Sequence, residues 1–333
     1  MRSSDNPQAS ESEPWFGVPM APEPERIPFP STDTVVVTDA GLETWLLFDR
    51  GIDLPAFAAY PLADTTDGQA ALDEYYGNFV RIATSVGAAI VLDAPTWRAN
   101  PDWAATLGHD RARLSQLIAA SVDVVDRVRQ RWTSDQAFLV GGAVGPRGDG
   151  YRLDELMDPD AAADYHSFQI NALATTPVDV VTAMTLGYVE EAIGIAQAAE
   201  HANLPVVIAF TVETDGRLPS GMSLADAITS TDEATNSYPT HYMVNCAHPT
   251  HFAHLFADAA PWTLRVGGLR ANASSLSHAE LDEALELDRG NPDELAASYR
   301  ELQTLLPSLH VVGGCCGTDH NHVEAIARAV CTR

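Results

Sequence analysis

The sequence predicts a single (β/α)8 barrel, on three observations. Eight short, Val-rich apolar runs recur along the chain, an amphipathic stretch follows each, and no second stretch separates as another domain. The runs are nearly continuous in apolar character rather than alternating, as strands buried on both faces are. A chain of 333 residues lies within the range for one barrel. An open doubly wound sheet carries the same alternation and remains the alternative.

In chain order, residues 1–30 are rich in Pro, Glu and Ser and lack a periodic apolar pattern. They read as a flexible tail, with the barrel over residues 31–333. The predicted strands cover residues 34–39, 88–93, 138–144, 178–183, 205–211, 241–246, 263–268 and 309–314. The predicted helices cover 70–86, 111–132, 161–174, 188–202, 224–234, 250–259, 292–306 and 320–330. Helix-start signals support several of them: Asn291 precedes Pro292 and Glu294, and Thr318 precedes Asp319.

Composition narrows the classes of function. The net charge is −27, and all 19 basic residues are arginine. Such a surface repels phosphates and anionic lipid, so neither nucleic acid nor membrane is an expected partner. Coding bias and a salty cytoplasm both account for this acidity. No apolar run approaches the ~18 residues of a membrane span, and the first residues lack the apolar core of a signal peptide. The expectation is a cytoplasmic protein. Charge does not fix the oligomeric state.

The chemistry lies in the cysteines. Four are too few for a disulfide scaffold in a chain this size. Cys246 ends the sixth predicted strand, and Cys315 and Cys316 follow the eighth. In a barrel these positions meet at one rim, the face where active sites lie. The Gly313-Gly314 pair is expected to let the chain turn sharply before them. Three thiolates suit zinc, and three ligands leave a position open where a structural site would close with a fourth. A substrate thiol placed there is presented as a thiolate, the nucleophile needed to accept a methyl group. Cys331, on the terminal helix without a partner motif, reads as a small buried hydrophobe.

With these motifs in place the sequence resembles the homocysteine S-methyltransferase family, across roughly residues 34–330. Residues 244–249 (VNCAHP) and 313–318 (GGCCGT) resemble its two zinc-cysteine motifs. Residues 39–44 (DAGLET) with 50–53 (RGID) resemble its first βα loop, and residues 142–146 (GAVGP) the loop after strand three. The resemblance implies a (β/α)8 barrel with Zn2+ on Cys246, Cys315 and Cys316. It implies a small-molecule thiol, homocysteine, and a methyl donor as partners, with methionine as product. Asp39, Gly41 and Leu42 would face the amino-acid part of homocysteine, and Asn245 would lie beside the metal. S-methylmethionine or S-adenosylmethionine is the expected donor, ahead of betaine.

The chain departs from the pattern at two strand ends. Met184 stands where the family places a glutamate for the substrate's amino group, and residues 93–96 read DAPT instead of a Thr-rich stretch. Asp93 is the expected replacement for that glutamate. The departures keep two other readings open: a methyltransferase for a different thiol or selenol, and a barrel that binds zinc and a thiol without catalysis.

Three further features have simpler expected roles. His248, His251 and His254 step round a helix and read as solvent-exposed. The Gly-rich stretch 141–150 lacks phosphate-loop spacing and reads as a loop over the barrel mouth. Trp45, Trp97 and Tyr60 fall near strand ends, where ordinary packing is the first expectation for each and holding a cationic donor on an aromatic face is the alternative.

Overall fold

A computed structural model describes residues 26–153, 156–283 and 286–331. Eight parallel strands close into a barrel: β1 (Val36–Val37), β2 (Ala89–Ala94), β3 (Phe138–Val144), β4 (Val180–Leu186), β5 (Val206–Phe210), β6 (Tyr242–Asn245), β7 (Val266–Ala271) and β8 (Val311–Gly314). Each pairs with its sequence neighbours, and β8 returns to β1 through Val311 beside Val36. This excludes the open sheet. Every strand residue is buried, as expected of strands with the barrel interior on one face and helices on the other.

The helices are α1 (Leu42–Phe48), α2 (Thr66–Val86), α3 (Pro101–Thr106), α4 (Arg111–Arg129), α5 (Pro159–Ala174), α6 (Val189–His201), α7 (Leu224–Thr235), α8 (Pro249–Phe252), α9 (His278–Glu283), α10 (Pro292–Leu305) and α11 (His320–Cys331). Local chemistry sets their ends. Thr65 caps α2 by accepting the Gly68 N–H, and Gly87 stops it at φ +65°. Asp110, Asp158 and Ser223 cap α4, α5 and α7 in the same way. The long helices match the sequence expectation within a few residues. The short α1, α3 and α9 were not expected, because six or seven residues do not establish a period.

The main displacement is β7. Residues 263–268 were expected as strand, but Pro261–Arg265 form a short 3-10 helix and the strand runs on through Arg270 to Ala271. An arginine after two glycines reads as lying beyond the strand end in isolation. Here the arginine is buried at the strand end, because its charge finds partners across the barrel.

Of the expected tail, residues 1–25 lie outside the described residues. Residues 26–30 lie against the N-terminal ends of the strands. The Ile27 N–H donates to Asp179 Oδ1 at 2.8 Å, and the Phe29 ring meets His241 edge-on at 4.9 Å between centroids.

His241 is buried there beside His310, and burial lowers its pKa from 6.5 to about 3. The folded state holds this imidazole neutral, whereas the unfolded chain protonates it below pH 6.5. Its contribution is therefore fully present above pH 6.5 and lost as pH falls toward 3, at up to about 1.4 kcal/mol per pH unit. His241→Phe is expected to reduce the slope of stability against pH between 6.5 and 4.5 by up to that amount. Urea unfolding across this range measures it; an unchanged slope means His241 is not an acid-sensitive group.

Candidate metal and substrate site

At the opposite end of the barrel, three sulfurs meet. Cys315 Sγ lies 3.2 Å from Cys246 Sγ, and Cys316 Sγ lies 3.4 Å from it. Cys246 follows β6 with φ +56°. For a non-glycine residue this costs on the order of 1–2 kcal/mol. Its surroundings hold it there. The Cys246 carbonyl accepts from Asn272 Nδ2 at 3.0 Å and lies 2.7 Å from His278 Nε2, and its N–H donates to the Arg270 carbonyl at 3.0 Å.

Cys315 and Cys316 leave the end of β8. The Cys315 N–H donates to the Ala271 carbonyl at 2.8 Å, and the Thr318 hydroxyl donates to the Cys315 carbonyl at 2.6 Å. The role expected of Gly313 and Gly314 needs correction, because both are strand residues without positive φ. They are small because neighbours approach closely. A Cβ on Gly313 would sit 1.8 Å from Thr38 Oγ1, and one on Gly314 2.1 Å from Thr318 Oγ1.

Electrostatics shows what this cluster requires. Three thiols packed this closely cannot all ionise together without a cation. Hydrogen bonds from Cys246 and Cys316 hold Cys315 well below the usual thiol range, while bonding to Cys315 raises Cys246 and bonding to its two neighbours raises Cys316. Zinc–sulfur bonds of ~2.3 Å in tetrahedral array place sulfurs about 3.8 Å apart. The two spacings to Cys246 fall about half an ångström short of that, and all three sulfurs lie within 4.8 Å of one another, so the donor set fits zinc.

Arg270, a buried cation close to the cluster, already serves two carboxylates. Its guanidinium pairs with Asp39 Oδ1, and with Asp93 Oδ2 at 2.6 Å, while its Nε donates to the Gly314 carbonyl at 3.2 Å. All three side chains are about 4% exposed. Burial raises the pKa of both aspartates, opposed by the guanidinium between them. The sequence reading did not include Arg270.

Above this layer opens a cavity of about 360 Å³. Asp39, Gly41, Leu42, Asp93, Asn245, Cys246, Cys315 and Cys316 all line it, so every candidate site residue borders one space. Gly41 tolerates no side chain, since a Cβ would lie 2.6 Å from the Cys315 carbonyl oxygen. Asn245 Oδ1 accepts the Thr185 N–H at 2.8 Å, and Nδ2 approaches Cys315 Sγ at 3.9 Å. Tyr151 was missed because it follows the Gly-rich stretch without a motif of its own. Its hydroxyl donates to Cys246 Sγ at 2.8 Å, and its ring lies 4.0 Å from that of His278.

The residues that carry the resemblance thus occupy one site. The pattern that defines the family described as homocysteine S-methyltransferase matches residues 36–330. The chain belongs to the homocysteine S-methyltransferase family. It is 25% identical over 199 residues to Homocysteine S-methyltransferase 1 of Arabidopsis thaliana, covering 58% of this chain and 57% of that one. A protein of the same name from Brassica oleracea var. italica is 25% identical over 230 residues, covering 67% and 63%. The matched stretch thus spans less than two thirds of either plant relative. Among solved structures, the Escherichia coli homocysteine methyltransferase MmuM in its oxidized form gives a TM-score of 0.70 at 20% identity, covering 88% of this chain and 95% of that one. Its metallated form gives 0.67 at 20% identity, covering 89% and 96%. At this identity the likeness is one of fold.

Within this homocysteine S-methyltransferase fold, several secondary expectations need correction. Trp97 borders the cavity, but Trp45 and Tyr60 are buried away from it. Trp45 packs on Tyr75 at 5.3 Å, and the Tyr60 hydroxyl lies 2.9 Å from His109 Nδ1. His251 is buried, with Nε2 2.9 Å from the Ser275 carbonyl, while His248 caps α8 and His254 is exposed. Met184 lines the cavity, and Asp149 and Tyr151 bring the segment after β3 to its mouth. No helix among the described residues is long and apolar enough to cross a membrane.

Proposed function

We propose that this protein transfers a methyl group from a cationic donor to the thiol of homocysteine, giving methionine. The observation that carries the reading is the meeting of Cys246, Cys315 and Cys316 at one cavity. These residues would hold zinc, which when bound lowers the pKa of a neighbouring thiol. MmuM, which shares the fold and is named for homocysteine, has a metallated form.

The reaction needs little of the protein besides alignment. The acceptor sulfur forms a bond to the methyl carbon while the donor's sulfur or nitrogen leaves with the electron pair. The thiol proton passes to solvent. Holding sulfur, carbon and leaving atom in line converts a two-body encounter into one step within the complex. Leu42, Phe57, Trp97 and Met184 give the cavity apolar walls that exclude water. The Tyr151 hydroxyl donates to Cys246, and Asn245 holds Thr185 beside the cluster.

Assays of L-homocysteine with S-methylmethionine, S-adenosylmethionine and betaine test the reading. Methionine is expected from a sulfonium donor, with activity lost on chelation and restored by zinc. Equal activity in a metal-free preparation rejects it.

A further inference from the structure

The departure at Met184 leaves open which groups read the acceptor's polar end. Asp93, the expected replacement, gives Oδ2 to Arg270, and its unpartnered Oδ1 lies against Gly141; Asp39 is also held by Arg270. Asp149 accepts the N–H groups of Tyr151 and Arg152, at 2.9 and 3.1 Å. Asp288 accepts the Ser274 hydroxyl at 2.6 Å and the Gly290 N–H at 3.0 Å. Glu286 borders the cavity too, but it is exposed. Glu43 is different. It lies in the first turn of α1 and borders the cavity, yet no side chain among the described residues donates to its carboxylate. Burial raises its pKa to about 7, and the Cys315 charge adds to this.

Arg98 borders the same cavity. Its guanidinium packs 3.9 Å from the Trp103 ring centroid and 4.6 Å from that of Trp97, and Nη1 donates to the Gly148 carbonyl at 3.1 Å. Its Nε is buried without a partner. Asp149 and then Glu43 are the carboxylates that act most on Arg98, and Arg270 and then Arg98 the cations that act most on Glu43, but no nitrogen–oxygen contact within 4.0 Å joins Arg98 to either carboxylate. Opposite charges in one cavity attract each other unless something holds them apart. The two indoles and the Gly148 carbonyl hold Arg98 in place.

We propose that Glu43 and Arg98 read the α-ammonium and α-carboxylate of the acceptor, so that this site selects a thiol-bearing α-amino acid. The inference rests on the methyl-transfer reading and names the residues that would select its acceptor. A zwitterion satisfies both charges at once. A thiol with only one of the two groups leaves the other protein charge unpaired, which carries a desolvation cost.

The test compares L-homocysteine with γ-mercaptobutyrate, which lacks the ammonium, and γ-mercaptopropylamine, which lacks the carboxylate. The full zinc-loaded chain is used at saturating donor. Glu43→Gln is expected to raise KM for homocysteine on the order of 10- to 100-fold, the loss of one charge-assisted contact, while KM for γ-mercaptobutyrate moves less than about two-fold. Arg98→Gln is expected to raise KM for homocysteine similarly and spare γ-mercaptopropylamine. Glu43→Asp should fall between wild type and Glu43→Gln. Equal KM changes for all three thiols, or none for homocysteine, overturn the assignment. A wild type that methylates the three thiols equally overturns it while leaving methyl transfer standing. If no thiol is methylated, the functional reading fails, and calorimetric binding of L-homocysteine to wild type and Glu43→Gln still decides the role of Glu43: equal affinities reject it.

Discussion

Cys246→Ser, Cys315→Ser and Cys316→Ser are each expected to lose most bound zinc and to lower kcat/KM by more than about 1000-fold, a loss of about 4 kcal/mol in transition-state stabilisation. A serine hydroxyl is a harder and far less acidic donor than a thiol, and two remaining thiolates hold zinc weakly. Cys331→Ser is the control. Cys331 is half-buried on α11 against the outer core, outside the sulfur cluster, so zinc content and activity should match wild type. Metal analysis and methyl-transfer assays on the same samples provide the measurement. Retention of both zinc and activity in any of the three cluster variants removes that cysteine from the site.

The second large effect is expected at Arg270. Arg270→Met removes the cation shared by two buried carboxylates. Breaking a buried pair from one side typically costs ~3–5 kcal/mol, because the remaining charge is left uncompensated. The variant should lose about that much stability in urea unfolding at pH 7, and cavity shape with it. Combining Arg270→Met with Asp39→Asn and Asp93→Asn should recover part of the loss, since neutral amides do not need the guanidinium. A single variant within about 1 kcal/mol of wild type would show that these charges are solvated.

Much of this was legible in local sequence. The strands are uniform apolar runs because each is buried on both faces, so their number could be read directly. Cys315 and Cys316 stand out because glycines and a strand precede them. Tyr151 carried no such signal, since a tyrosine after a glycine-rich stretch looks like any loop residue. The limit of β7 failed for a related reason, as a charged side chain in a barrel strand looks like a strand end until its partners are known.

By itself the sequence determined the repeating strand–helix order, the Asn291 cap of α10 and the meeting of three cysteines at one end of the barrel. Tertiary structure alone decided which charges are already engaged. Arg270 is 177 residues from Asp93 and 231 from Asp39 in the chain, so closure of the barrel is what brings them together. That pairing engages one carboxylate oxygen of each aspartate, while Glu43 borders the cavity without a side-chain donor among the described residues. Burial and pairing, which fix the chemistry of a charged side chain, are properties of the closed barrel and not of any local stretch of residues.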